Sequence, residues 1–122
     1  MEPLAIVYYE RIMPGSQLVN RLQDLGYRVL SINNPAQLAT TTQREMPLLS
    51  FVDLDTQGDV SSAIERIKGH AATKHIPIIA FAPDQKAELM AAAQKAGASL
   101  VVGETTLAGH LPTLLEQALH LE

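Results

Sequence analysis

Cysteine and tryptophan are absent from the 122 residues, aromatic residues make up 4% of them, and charged residues 18%. A chain without cysteine has no disulfide framework, no thiol nucleophile, no thiolate zinc site and no iron–sulfur ligation. Long apolar stretches are missing too: the hydrophobic runs suit single strands, and none reaches the roughly 20 residues of a membrane-spanning helix. Basic residues are in the minority, with nine Lys and Arg against thirteen Asp and Glu and a net charge of −4. No overall positive field therefore collects phosphates along a nucleic acid, and neither nucleic acid nor membrane is an expected partner. Residues 1–14 lack the basic start, apolar core and small-residue cleavage site of a signal peptide, so a cytoplasmic chain is expected. What remains is 47% hydrophobic, too apolar for a disordered segment, and its length suits one domain over residues 1–122.

Short runs rich in Ile and Val alternate with longer segments whose apolar residues recur every three or four positions, the pattern of strands alternating with helices. The runs cover 4–9, 27–32, 48–52, 76–82 and 100–102. Leu18, Leu22 and Leu25 form the stripe of a first helix stopped at Gly26, and Asn34-Pro35 opens a second through about Arg44. Asp59 is expected to cap a third, with Ala63, Ile64 and Ile67 inside it and Gly69 at its end. Asp84 is expected to cap a fourth through Ala96, with Gly97 as its stop. A fifth begins near His110 and carries Leu111, Leu114, Leu115, Ala118 and Leu119. Pro112 belongs in its first turn, because an interior proline costs about 3 kcal/mol.

Parallel strands joined by right-handed helical crossovers make this an α/β chain. The expected architecture is a three-layer, flavodoxin-like (βα)5 sandwich with a parallel five-stranded sheet in the order 2-1-3-4-5. Ligands in such sheets bind beyond the carboxyl ends of the strands, which places the chemistry at residues 9–13, 53–58, 82–84 and 103–105. No Gly-rich turn follows the first strand, so a dinucleotide or P-loop site is not expected. His70, His75, His110 and His120 lack the spacing of metal ligands and read as surface residues.

Asp53 and Asp55 directly follow the third apolar run. The string Asp53-Leu54-Asp55-Thr56 resembles the nucleophile motif of haloacid-dehalogenase-type phosphatases, in which the first aspartate attacks phosphorus and the second acts as acid and base. The match is partial: Thr56 comes one place early, and no acidic pair follows a later strand. A second resemblance spans nearly the whole chain. Phe51-Val52-Asp53-Leu54, with Gly26-Tyr27, Ile76-Pro77-Ile78-Ile79 and Gly97-Ala98 at matching intervals, is similar to the response-regulator receiver domains of the CheY-like superfamily.

That resemblance implies an aspartate that accepts a phosphoryl group, an acidic pair that holds magnesium, a hydroxyl residue after the fourth strand and a lysine after the fifth. Asp53 matches the phosphoacceptor. The acidic pair falls on Tyr9 and Glu10 when counted back from Gly26, or on Tyr8 and Tyr9 when counted along the strand. The hydroxyl position falls on Ala82, the aromatic switch position on Val101 and the lysine position on Glu104. An anion in place of a cation beside phosphate is worth about 4 kcal/mol of repulsion at a separation of about 4 Å and an effective dielectric of about 20. Glu10, Asp53 and the backbone carbonyl of Asp55 offer a weak magnesium set at most.

The implied molecule is a degenerate pseudo-receiver of bacterial two-component signalling. It would act as a protein–protein interaction module without catalysis, phosphorylation or an obligatory cofactor. A receiver weakly phosphorylated at Asp53 with Mg2+ is the alternative, and a small aspartate-nucleophile phosphatase a more distant one. The alanine-rich fourth helix and the absence of Lys and Arg from Ala96 onward point to an uncharged contact face across helix 4, strand 5 and helix 5. Met90, Ala93 and Leu111 are its expected centre, and a protein partner or a homodimer its expected use.

Overall fold

The computed structural model describes residues 2–56 and 58–120, so Gln57, inside the expected 53–58 loop, lies outside the described residues. Among them are five strands and six helices in the order β1 (Leu4–Tyr8), α1 (Ile12–Asp24), β2 (Arg28–Ile32), α2 (Pro35–Glu45), β3 (Leu49–Asp53), α3 (Val60–Gly69), β4 (Ile78–Ala82), α4 (Ala87–Ala96), β5 (Leu100–Gly103), α5 (Glu104–Gly109) and α6 (Leu111–Leu119). All neighbouring strands run parallel, in the order β2-β1-β3-β4-β5. The fold class expected from the sequence is the one observed.

Strand alternation divides the core into two layers. Successive side chains point to opposite faces, so Ile6 and Tyr8 pack with Leu38, Ile64, Ile67 and Ala93 beneath α2, α3 and α4. Ala5 and Val7 join Phe51, Phe81, Leu22, Leu111 and Leu114 beneath α1, α5 and α6. β3 and β4 are buried along their whole length, as strands covered on both faces must be, which is why they read as nearly continuous apolar runs. Each large side chain such as Phe51 or Phe81, fully buried, contributes about 1.5–3 kcal/mol.

Several local expectations are corrected. Leu25 is the C-cap of α1 and stays 47% exposed, so the inward stripe consists of Leu18 and Leu22. Asp84 does not cap α4, whose N-cap is Lys86. The Asp84 carboxylate instead accepts hydrogen bonds from the hydroxyl and backbone N–H of Thr105. Gly103 makes that reach possible, since a β-carbon there would collide with the carboxylate. The chain after β5 forms a further short helix, α5, before α6 starts at Leu111 with Pro112 in its first turn. Asp59 does cap α3, accepting from the Ser62 N–H, and Asn34 caps α2 through the Ala36 N–H. The four histidines are exposed.

Candidate functional site at the carboxyl ends of the strands

Asp53 is the last residue of β3 and is fully buried, at 0% exposure. A carboxylate there needs either a proton or a paired cation, because desolvation otherwise costs several kcal/mol. The pairing comes from Arg11, the N-cap residue of α1, whose extended backbone (φ −87°, ψ 128°) directs its side chain over the strand ends. Its Nε donates to Asp53 Oδ2 at 2.9 Å and its Nη2 to Asp53 Oδ1 at 2.7 Å. The same Nη2 donates to Glu104 Oε2 at 2.6 Å, and Nη1 stands 3.6 Å from Asp55 Oδ2. One guanidinium thus joins the ends of β1, β3 and β5.

The flanking loops complete the network. Asp53 Oδ1 also accepts from the backbone N–H of Asp55, which fixes the turn after β3. Lys86, at the start of α4, donates from Nζ to Asp55 Oδ1 at 3.0 Å. On the other side the Tyr8 phenol donates to Glu10 Oε2 at 2.6 Å and shares a hydrogen bond of 3.0 Å with Thr56 Oγ1. The Tyr9 ring lies against Gly15 so closely that no β-carbon would fit there.

Burial pushes the Asp53 carboxyl above the ordinary aspartate range, opposed by the Arg11 guanidinium and the Asp55 N–H, which favour the charged form. Arg11 is held still further on the protonated side, chiefly by its hydrogen bonds to Asp53. Burial, reinforced by the Glu10 carboxylate, pushes the Tyr8 phenol up to about 12.

Measured against the sequence, Asp53, Asp55 and Glu104 do come together, but around Arg11. Ala82 is buried at the end of β4, opposite Gly103 on β5, and Val101 packs on the α2–α4 layer. Glu10 is engaged by Tyr8 and not by Asp53. Both Asp53 oxygens face a guanidinium, and among the described residues no three acidic or histidine side chains converge as a metal site would require. Of the expected magnesium set, Glu10 is bonded to Tyr8 and both Asp53 oxygens to Arg11, so as arranged its two carboxylates are not presented together to a divalent cation.

The contact face also needs correction. Ala93 and Leu111 are fully buried, one in each core layer, and Met90 is partly buried against the first of them. Helical period explains this, since Leu89, Ala93 and Ala96 share the side of α4 that meets the sheet, leaving Ala91 and Ala92 outward.

Arg11, Lys86 and the Tyr8 phenol escaped the sequence reading. A signal for Arg11 was present: it lies in the 9–13 window at the carboxyl end of the first strand, where the chemistry was expected.

No protein-family model and no curated protein matches the sequence. Solved structures do match in three dimensions. A protein described as a response regulator from Chloroflexus aurantiacus superposes with a TM-score of 0.88 at 17% identity, over 98% of this chain and 99% of that one. The receiver domain of the sensor histidine kinase PA1611 from Pseudomonas aeruginosa, with magnesium coordinated in its active site cleft, gives 0.86 at 17% identity over 98% and 99%. The chain has the receiver-domain fold. A third receiver, the beryllofluoride-activated dimer of NtrC4, gives 0.78 at 16% identity over 98% of each chain. Within the receiver fold, Asp53 occupies the end of the third strand, and the cation beside it is part of the chain. Among the described residues no helix is long and apolar enough to cross a membrane.

Proposed function

We propose that the chain is a pseudo-receiver, a single-domain, non-enzymatic signalling module of the bacterial cytoplasm that works through protein contacts without phosphorylation. The observation that carries this reading is the double cap on Asp53. To take a phosphoryl group, one carboxylate oxygen must attack phosphorus while cations neutralise the equatorial oxygens. Here both oxygens accept from Arg11, Ala82 offers no hydroxyl, and the Glu104 carboxylate stands where the family's lysine would.

Its partners on this reading are proteins, a second copy included, met at the face of α4, β5 and α6. Ala91 and Ala92 are exposed on α4, and the edge strand β5 is half-buried throughout. The NtrC4 receiver, similar in fold, is a dimer.

The deciding experiment is incubation with acetyl phosphate and Mg2+, followed by intact mass. No phosphoryl adduct is expected. The competing reading, a receiver weakly phosphorylated at Asp53 with Mg2+, draws support from the strand-end position of Asp53 and from the magnesium in the PA1611 receiver. An adduct that disappears in Asp53→Asn would establish it, and steady release of phosphate from the donor would point to the phosphatase.

A further inference from the structure

The receiver resemblance calls for a divalent cation between the ends of β1 and β3, and the donors of this chain do not fit one because a guanidinium stands among them. We propose that Arg11 is a built-in counter-cation that replaces the metal and the lysine together, so that the closed arrangement of the strand ends is independent of divalent ions. The proposal rests on the pseudo-receiver reading and specifies how that site is held.

Three observations carry it. First, the contacts are those of a planar fork on a carboxylate, with Nε and Nη2 on the two Asp53 oxygens at 2.9 and 2.7 Å. A fork of this kind gives both charge and orientation. Second, the Nη2 that holds Asp53 also holds Glu104 at 2.6 Å. The residue at the lysine position has changed sign, and the cation now comes from the opposite loop, so the tie between the β3 and β5 ends persists with its polarity reversed. Third, the carboxylate nearest the first strand, Glu10, is turned to the Tyr8 phenol. Magnesium requires near-octahedral oxygen coordination with several ligands delivered together. With Asp53 and Glu104 bound to Arg11, Asp55 bound to Lys86 and Glu10 bound to Tyr8, each carboxylate of the site already has a partner within the chain. A cation attached to the chain also cannot be removed by chelation or dilution.

The test is a Mn2+ titration of the whole protein, read by the loss of the free-ion resonance and by thermal unfolding at constant ionic strength. The wild type is expected to bind no Mn2+ at millimolar concentration and to unfold at one temperature with or without it. Arg11→Gln, which leaves Asp53, Asp55 and Glu104 without the guanidinium, should gain Mn2+ affinity by at least about tenfold. It should recover part of its lost thermal stability on adding the ion, and Asp53→Asn in the same background should abolish both gains. Wild-type binding comparable to that of Arg11→Gln, or no gain in the variant, overturns the proposal. Should Arg11→Gln not fold, the wild-type titration decides alone, since specific Mn2+ binding there contradicts an occupied cation position. Failure here is separable from failure of the wider reading. Mn2+ binding without phosphoryl uptake removes the counter-cation and keeps the pseudo-receiver, whereas phosphoryl uptake in the presence of a chelator does the reverse.

Discussion

Arg11 and Asp53 differ in what each would leave behind if removed. Arg11 keeps 29% of its side chain exposed, whereas Asp53 has none. Asp53→Asn leaves a half-hydrated guanidinium that still reaches Glu104, so the loss of stability should be about 1 kcal/mol. Arg11→Gln strands a buried carboxylate with the Asp55 N–H as its remaining strong donor, and the cost should be about 3–5 kcal/mol. The pH dependence distinguishes this from simple loss of packing. Burial raises the folded Asp53 carboxyl above its unfolded value, so its stability contribution is complete below the unfolded value and is lost as pH rises through the folded one. Without Arg11 the raising cause is opposed by the Asp55 N–H alone. The deficit of Arg11→Gln should therefore shrink as the solution is made acidic, and urea unfolding of both variants at neutral and acidic pH measures it. Equal costs at both positions would mean that the pair is not asymmetric in burial.

At the level of elements, α4 shows how a composition argument and a period argument part company. Its run of alanines looks like uniform surface, yet the face turned to the sheet holds Ala93 and Ala96 while Ala91 and Ala92 face outward. Ala93→Glu should push a charge into the α2–α4 layer and cost about 3 kcal/mol or more, a large share of the stability of a small domain. Ala92→Glu should change stability by about 0.5 kcal/mol or less. If the α4–β5–α6 face is used for self-association, Ala92→Glu weakens it while circular dichroism stays native, and light scattering gives the readout. An Ala92→Glu chain that associates like the parent moves the contact elsewhere. The same lesson holds at the helix starts. Asp59 was legible as a cap because it bonds an N–H three residues on. Asp84 was not, because its partner Thr105 lies 21 residues away and becomes a neighbour only once β4 and β5 pair.

Across the whole molecule, strand order and layering were legible because they follow from period, crossover handedness and burial on both faces, which are written locally. The site was legible only in its carboxylates. Its ties join residues 42, 93 and 31 positions apart, in Arg11–Asp53, Arg11–Glu104 and Lys86–Asp55, and no local pattern announces them. Tyr8 belongs to the same class of long-range features: its ring is core and its phenol is site. With three tyrosines and no tryptophan, an alkaline titration followed by phenolate absorbance reports these groups alone. Burial and the Glu10 carboxylate raise Tyr8 from 10.0 to about 12, and burial also raises Tyr27. A phenol with a raised folded value contributes stability that is complete below the unfolded value near 10.0 and is lost as pH passes through the folded one. Tyr8→Phe should remove the last step of the titration. At neutral pH it should cost about 1 kcal/mol through the bonds to Glu10 and Thr56, and the gap between variant and parent should close as alkali ionises the phenol in the parent. Tyr8 titrating in the ordinary phenol range, or a gap that stays constant with pH, would show that the Tyr8–Glu10–Thr56 cluster does not hold the edge of the site.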